Sequence, residues 1–144
     1  MIDLHIDDFH RDISLALVKL FNAFPAKHTI YLDEICGEDN KDEFGISSDR
    51  HQRCMGALMW LKDEGLIRID DILPHEGIDQ AILTMPTYLL LVRITHQADG
   101  QSSKQPKLGF IQEIRTALSS GSSEQVNRVM EKFLMKWHSV QKSN

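Results

Sequence analysis

The stretch Arg53-Cys-Met-Gly-Ala-Leu-Met-Trp-Leu-Lys-Asp-Glu-Gly-Leu-Ile-Arg-Ile69 changes its periodicity at one glycine. Before Gly65, the residues Cys54, Ala57, Leu58 and Leu61 recur at helical spacing and share one face. After it, Leu66-Ile67-Arg68-Ile69-Asp70 alternates and is β-branched, the pattern of a strand. Gly65 suits the left-handed residue that ends many helices, and Leu66 and Ile67 then turn into a core. Upstream, Ser47-Ser48-Asp49 supplies good N-cap types, so the pattern predicts a helix over 47–64.

On the N-terminal side, Phe9, Ile13, Ala16, Leu17, Leu20 and Phe24 line one face of a helix from Asp7 to Phe24, ended by Pro25. Asp7 and Asp8 stand where a helix N-terminus favours anions. An extended piece, His28 to Tyr31, leads into a helical stub at Leu32 to Cys36, closed by Gly37. Residues 38–46 read as an acidic loop. On the C-terminal side, Asp71 to Ile78 is turn material, and Gln80 to Leu83 returns as an antiparallel partner strand. Thr84 and Pro86 open a further helix that runs to about Ile94.

This order, with the Leu-x-x-x-Gly-Leu-Ile corner at 61–67 and the Leu83-Thr84-x-Pro86 exit, resembles a winged helix-turn-helix over residues 7–95. The whole chain also resembles small bacterial or prophage-encoded winged-helix proteins with a helical tail, a likeness that brings no activity with it. The resemblance implies an α+β fold in which the 47–64 helix faces a duplex and the following hairpin is the wing. The expected organisation is a winged-helix domain at 1–96, a linker at 97–106 and a two-helix extension at 107–144.

Charge and composition weigh against the usual use of that face. Residues 1–100 hold 9 Lys+Arg against 18 Asp+Glu, whereas residues 101–144 hold 7 against 3. Affinity for polyphosphate rests on local basic density. The wing segment carries Asp70, Asp71, Glu76 and Asp79 with no cation, and the loop before the helix carries Glu38, Asp39, Asp42 and Glu43. Were duplex DNA bound, Gln52 and Arg53 would read base edges and Arg50 would hold phosphate. Met59 and Trp60, on the outward side by the same helical count, instead mark a protein contact.

The tail carries a second apolar stripe. Leu108, Ile111, Ile114 and Leu118 line its first helix. Ser122 with Gln125 offers a capping box to the second, where Val126, Met130, Phe133, Trp137 and Val140 follow at 4-3-4-3 spacing. Such a hairpin cannot bury its stripe alone, so it packs on the winged domain or on a second copy. A homodimer is expected, with Met59, Trp60, Phe133 and Trp137 as interface residues and an unidentified protein as further partner.

Nothing in the chain supports catalysis. Phosphate-cradling, nucleophile-elbow and zincin motifs are absent from its 144 residues. Cys36 and Cys54 stand 18 apart without companions, so no metal or other cofactor is expected, and both read as reduced thiols. His51 reads as a flanking residue. The longest apolar run, Tyr88 to Val92, is far too short for a bilayer, and the N-terminus is acidic where a signal peptide is basic. The sequence therefore points to a cytoplasmic, non-enzymatic regulator or adaptor acting through protein contacts. Its alternative is a sequence-specific duplex-DNA regulator.

Overall fold

The computed structural model describes residues 4–38, 43–96 and 108–142. The fold is α+β. Its elements in chain order are α1 (Leu4–Ala23), β1 (His28–Tyr31), α2 (Leu32–Cys36), α3 (Asp49–Asp63), β2 (Ile67–Arg68), β3 (Asp71–Leu73) and β4 (Gly77–Leu83). They continue with α4 (Met85–Val92), β5 (Ile94–His96), β6 (Leu108–Gly109), α5 (Phe110–Ser120) and α6 (Ser123–Lys142). This order and sheet are compatible with the winged-helix expectation.

The central strand is β4, which pairs antiparallel with β1 on one side and with β2 on the other; β3 also pairs with β4. The strand expected over 66–70 is only two residues long. Asp71–Leu73, read from sequence as turn, forms a strand, because Asp71, Ile72 and Leu73 find partners in Asp79, Ile78 and Gly77. The turn shrinks accordingly to the three residues Pro74, His75 and Glu76, where Glu76 N–H donates to Leu73 O. At Gly77 the backbones of β1 and β4 approach so closely that a Cβ there would fall on the carbonyl of Ile30.

The corner at Gly65 forms as its chemistry requires. Gly65 has φ +87, a conformation that costs a side-chain-bearing residue. Leu66 N–H donates to Leu61 O at 2.8 Å, and Leu66 and Ile67 are fully buried. Ser48 caps α3, its side chain accepting from His51 N–H. Thr84 is the N-cap residue of α4, but its side chain makes no capping hydrogen bond. Its hydroxyl instead lies 2.9 Å from Gly65 O and ties the start of that helix to the corner.

The tail packs within the same chain. Helices α5 and α6 lie against α1, and α4 joins them. Phe133 and Met130 are wholly buried, and Trp137 is 8% exposed, in one continuous core with Ile13, Leu17 and Leu58. Ser122 Oγ accepts from Gln125 N–H, as a capping serine does. A polar link crosses from α1 to α6: His10 Nδ1 lies 2.8 Å from Asn127 Oδ1, and Asn127 Nδ2 donates to Asp7 at 2.6 Å. The short β5–β6 ribbon was not read from sequence; it clamps the two ends of the expected linker, whose residues 97–106 lie outside the described residues.

Candidate functional site

Of the three residues proposed to meet DNA, one is already engaged. Arg50 Nη1 and Nη2 donate to the two Asp12 carboxylate oxygens at 2.7 and 2.6 Å, and Arg50 Nε lies 3.4 Å from Asp8. Asp12 is buried, and its hydrogen bonds hold the guanidinium firmly charged. A fork closed on a buried carboxylate has less to offer a phosphate. Gln52 is exposed but donates locally to Ser47 O at 2.9 Å. Arg53 is exposed and has no ion pair among the described residues.

The hairpin beside it stays acidic. Lys27 pairs with Asp70 at 2.7 Å, and Asp79 accepts from Thr29 at 2.6 Å. Asp71 and Glu76 remain exposed. A polyanion brought to this side would meet Arg53 of α3 and Arg68 of β2, both exposed, among several carboxylates.

The four residues expected at a protein interface divide differently from the expectation. Met59 and Trp60 are half-buried, with Trp60 edge-on to Phe9 of α1 at 5.1 Å between ring centroids. Phe133 and Trp137 belong to the core, Phe133 edge-on to Phe110 at 5.4 Å. Trp137 Nε1–H donates to Thr87 Oγ1 at 3.2 Å, and Thr87 lies 3.0 Å from the Thr84 hydroxyl that reaches Gly65 O. Its indole also lies alongside Gly65. The strongest apolar stripe of the tail is therefore used inside the chain, leaving Phe133 and Trp137 little surface for a partner.

What remains outside is a row that sequence reading assigned only to a helix. On α4, Met85 is 73% exposed, Leu89 56% and Val92 40%. Spaced four and three apart, they form one stripe on one face. Met85 and Leu89 also border a shallow cleft that includes Val140 of α6 and Arg93. The sequence hid this stripe because Met-Pro-Thr-Tyr-Leu-Leu-Leu-Val is apolar nearly all round, so periodicity could not separate its buried side, Leu90 and Leu91, from its open one.

A polar cluster around the buried His51 joins α2 to α3. His51, 3% exposed, places Nε2 at 2.9 Å from Asp33 Oδ1 and Nδ1 at 3.5 Å from Cys36 Sγ. The Cys36 thiol itself donates to Leu32 O at 3.3 Å, within its own helix. The same three residue types serve in nucleophilic catalysis. Here, however, burial pushes the Cys36 thiol up, and burial also pushes Cys54 well above the ordinary thiol range. An activated nucleophile needs the opposite shift. His51 is thus no mere flanking residue; its role is to satisfy the α2–α3 contact.

Among the described residues, no group of three or more His, Cys, Asp or Glu side chains is arranged to hold a metal ion. No described helix is long and apolar enough to cross a membrane. No family model matches the chain, and neither a curated protein nor a solved structure shows significant similarity to it.

Proposed function

We propose that this chain is a non-enzymatic winged-helix protein, a regulator or adaptor that acts through protein–protein contact and self-associates as a homodimer. The observation that carries this reading is the open row Met85, Leu89 and Val92. Isolated exposed apolar residues are ordinary, but a contiguous stripe on one helix face marks a contact surface. The contact surface moves accordingly from the tail residues Phe133 and Trp137 to α4. Its position beside Arg93 and Val140 gives it the apolar centre and polar edge usual in interfaces.

Duplex recognition through α3 is the competing reading, and Arg50 weakens it. With that guanidinium committed to Asp12, phosphate neutralisation here falls to few cations, Arg53 on α3 and Arg68 on β2. Each phosphate contact contributes only about 0.9 to the log–log salt slope, so this few contacts would hold a duplex weakly.

The test is the solution mass of the full chain across concentration, by light scattering, beside Leu89→Glu. The proposal expects twice 16.5 kDa for the native chain and 16.5 kDa for the variant at the same concentration. A native chain of single mass at every concentration rejects it.

A further inference from the structure

A groove of about 640 Å³ runs along α6, between Arg93 at the end of α4 and Phe110 at the start of α5. Its described lining carries Arg93, Arg128, Lys132 and Lys136 against one acid, Glu131. Arg128, Lys132 and Lys136 stand four residues apart, so they form one row with roughly 6 Å of rise between neighbours. Met135, 74% exposed, adds an open apolar surface to the cations. Two members of the row already hold carboxylates of their own chain. Lys132 reaches Glu113 at 3.2 Å, and Arg128 reaches Glu124 at 3.1 Å. Arg93 and Lys136 are exposed and have no ion pair among the described residues.

This lining suits a carboxylate set beside an apolar side chain. Each unpaired cation offers charge-assisted donors to a carboxylate, and the row already pairs with that group. Met135, an unbranched and adaptable thioether, gains only from an apolar neighbour. A nucleic-acid backbone would meet the cations, bring nothing to Met135 and face Glu131. A flat anionic bilayer would touch the rim and leave the concave part unfilled. A peptide meets both needs. Acids on one side of it recur at about 6 Å in a helix and about 7 Å in a strand, close to the spacing of the row.

We propose that the groove binds an acidic peptide segment of another protein, its carboxylates on Arg93 and Lys136 and an apolar side chain against Met135. The Arg128 pair with Glu124 is exposed on both sides, so it yields at little cost to an incoming carboxylate. The proposal rests on the protein-contact reading above and states the partner's chemistry; it does not require the homodimer. Arg93 borders both this groove and the cleft beside α4, so a bound segment would adjoin the row Met85, Leu89 and Val92 without covering it.

The probe is a short fluorescein-labelled peptide repeating Glu-Glu-Leu, titrated with the full-length chain at low salt and read by fluorescence anisotropy. Circular dichroism serves as the folding control. Arg128→Glu/Lys136→Glu should weaken binding about tenfold or more, since it sets like charges face to face. Lys62→Glu, on α3 and outside the groove, should leave binding unchanged. Replacing every Leu of the peptide by Ser, at the same charge, should weaken binding about fivefold through lost apolar burial. No binding by the native chain, equal binding of the two peptides, or indifference to the groove reversal overturns this inference. The solution mass beside Leu89→Glu then still decides self-association by itself. A random single-stranded oligonucleotide or phosphatidylserine vesicles that bind more tightly than the peptide, and lose that binding in the groove variant, also overturn it. They would assign the groove to nucleic acid or to a membrane surface.

Discussion

The Asp12 carboxylate on α1 accepts two hydrogen bonds from the Arg50 guanidinium on α3, at 2.6 and 2.7 Å. Asp12 is 1% exposed, whereas Arg50 keeps contact with solvent along one side. Removing the arginine leaves a charged, desolvated carboxylate with no equivalent partner. Arg50→Ala should therefore cost about 3 kcal/mol of stability. Urea unfolding followed by circular dichroism will read this. A loss below about 1 kcal/mol would mean that the pair is an ordinary surface bridge. Because this substitution disturbs the fold, Arg53→Ala is the cleaner probe of duplex binding.

Trp137 fastens the tail to the corner that decides the fold. Its indole N–H reaches Thr87, its ring lies beside Gly65, and only 8% of it is exposed. Trp137→Ala should lose about 3–5 kcal/mol, the range for truncating a large core aromatic. By the same packing, a fragment ending at residue 96 bares the side of α1 that carries α5 and α6. Such a fragment should lack a cooperative thermal transition. A fragment that melts cooperatively would show that the tail is an appendage after all.

Gly77 permits the close approach of β1 and β4, since a side chain there would strike the Ile30 carbonyl. Gly77→Ala should destabilise the protein by more than about 2 kcal/mol through loss of sheet pairing. Hydrogen exchange at Ile30 and Ile78, which face each other across the two strands, should accelerate in the variant. Unchanged protection would place the strands further apart than described.

Burial raises the Cys54 thiol above its ordinary range, with the charges of Asp12 and Cys36 adding in the same direction. The unfolded chain ionises this thiol near pH 8.5, and the folded chain does so only at higher pH. The native state thus binds the extra proton in between. The contribution to stability is complete below about pH 8.5 and is lost as pH rises, by up to about 1.4 kcal/mol per unit. Melting temperatures measured from pH 7 to pH 10 should fall along this slope, and Cys54→Ala should flatten it. Equal slopes in both proteins would contradict the assignment.

Much of the fold was legible because local chemistry and tertiary packing agree. Ser48, Gly65, Gly37 and Pro25 mark element ends where hydrogen bonding or backbone geometry demands those residue types. Strand β3 was not legible: Asp71-Ile72-Leu73 beside Pro74 reads as turn until β4 supplies the ladder. The site was harder to read. The outward side of α3 was identified through Gln52 and Arg53, but no spacing rule places Asp12 beside Arg50, 38 residues away. In the same way, periodicity located Phe133 and Trp137 on an apolar stripe without telling whether a second chain or α1 would cover it.

Sedimentation velocity of the full-length chain mixed with a labelled random duplex at low salt tests the central claim most directly. Protein and DNA boundaries are followed separately. The account predicts protein sedimenting with the mass of two chains and duplex sedimenting at its own rate. Single chains that travel with the duplex, and separate from it on adding salt, would contradict it.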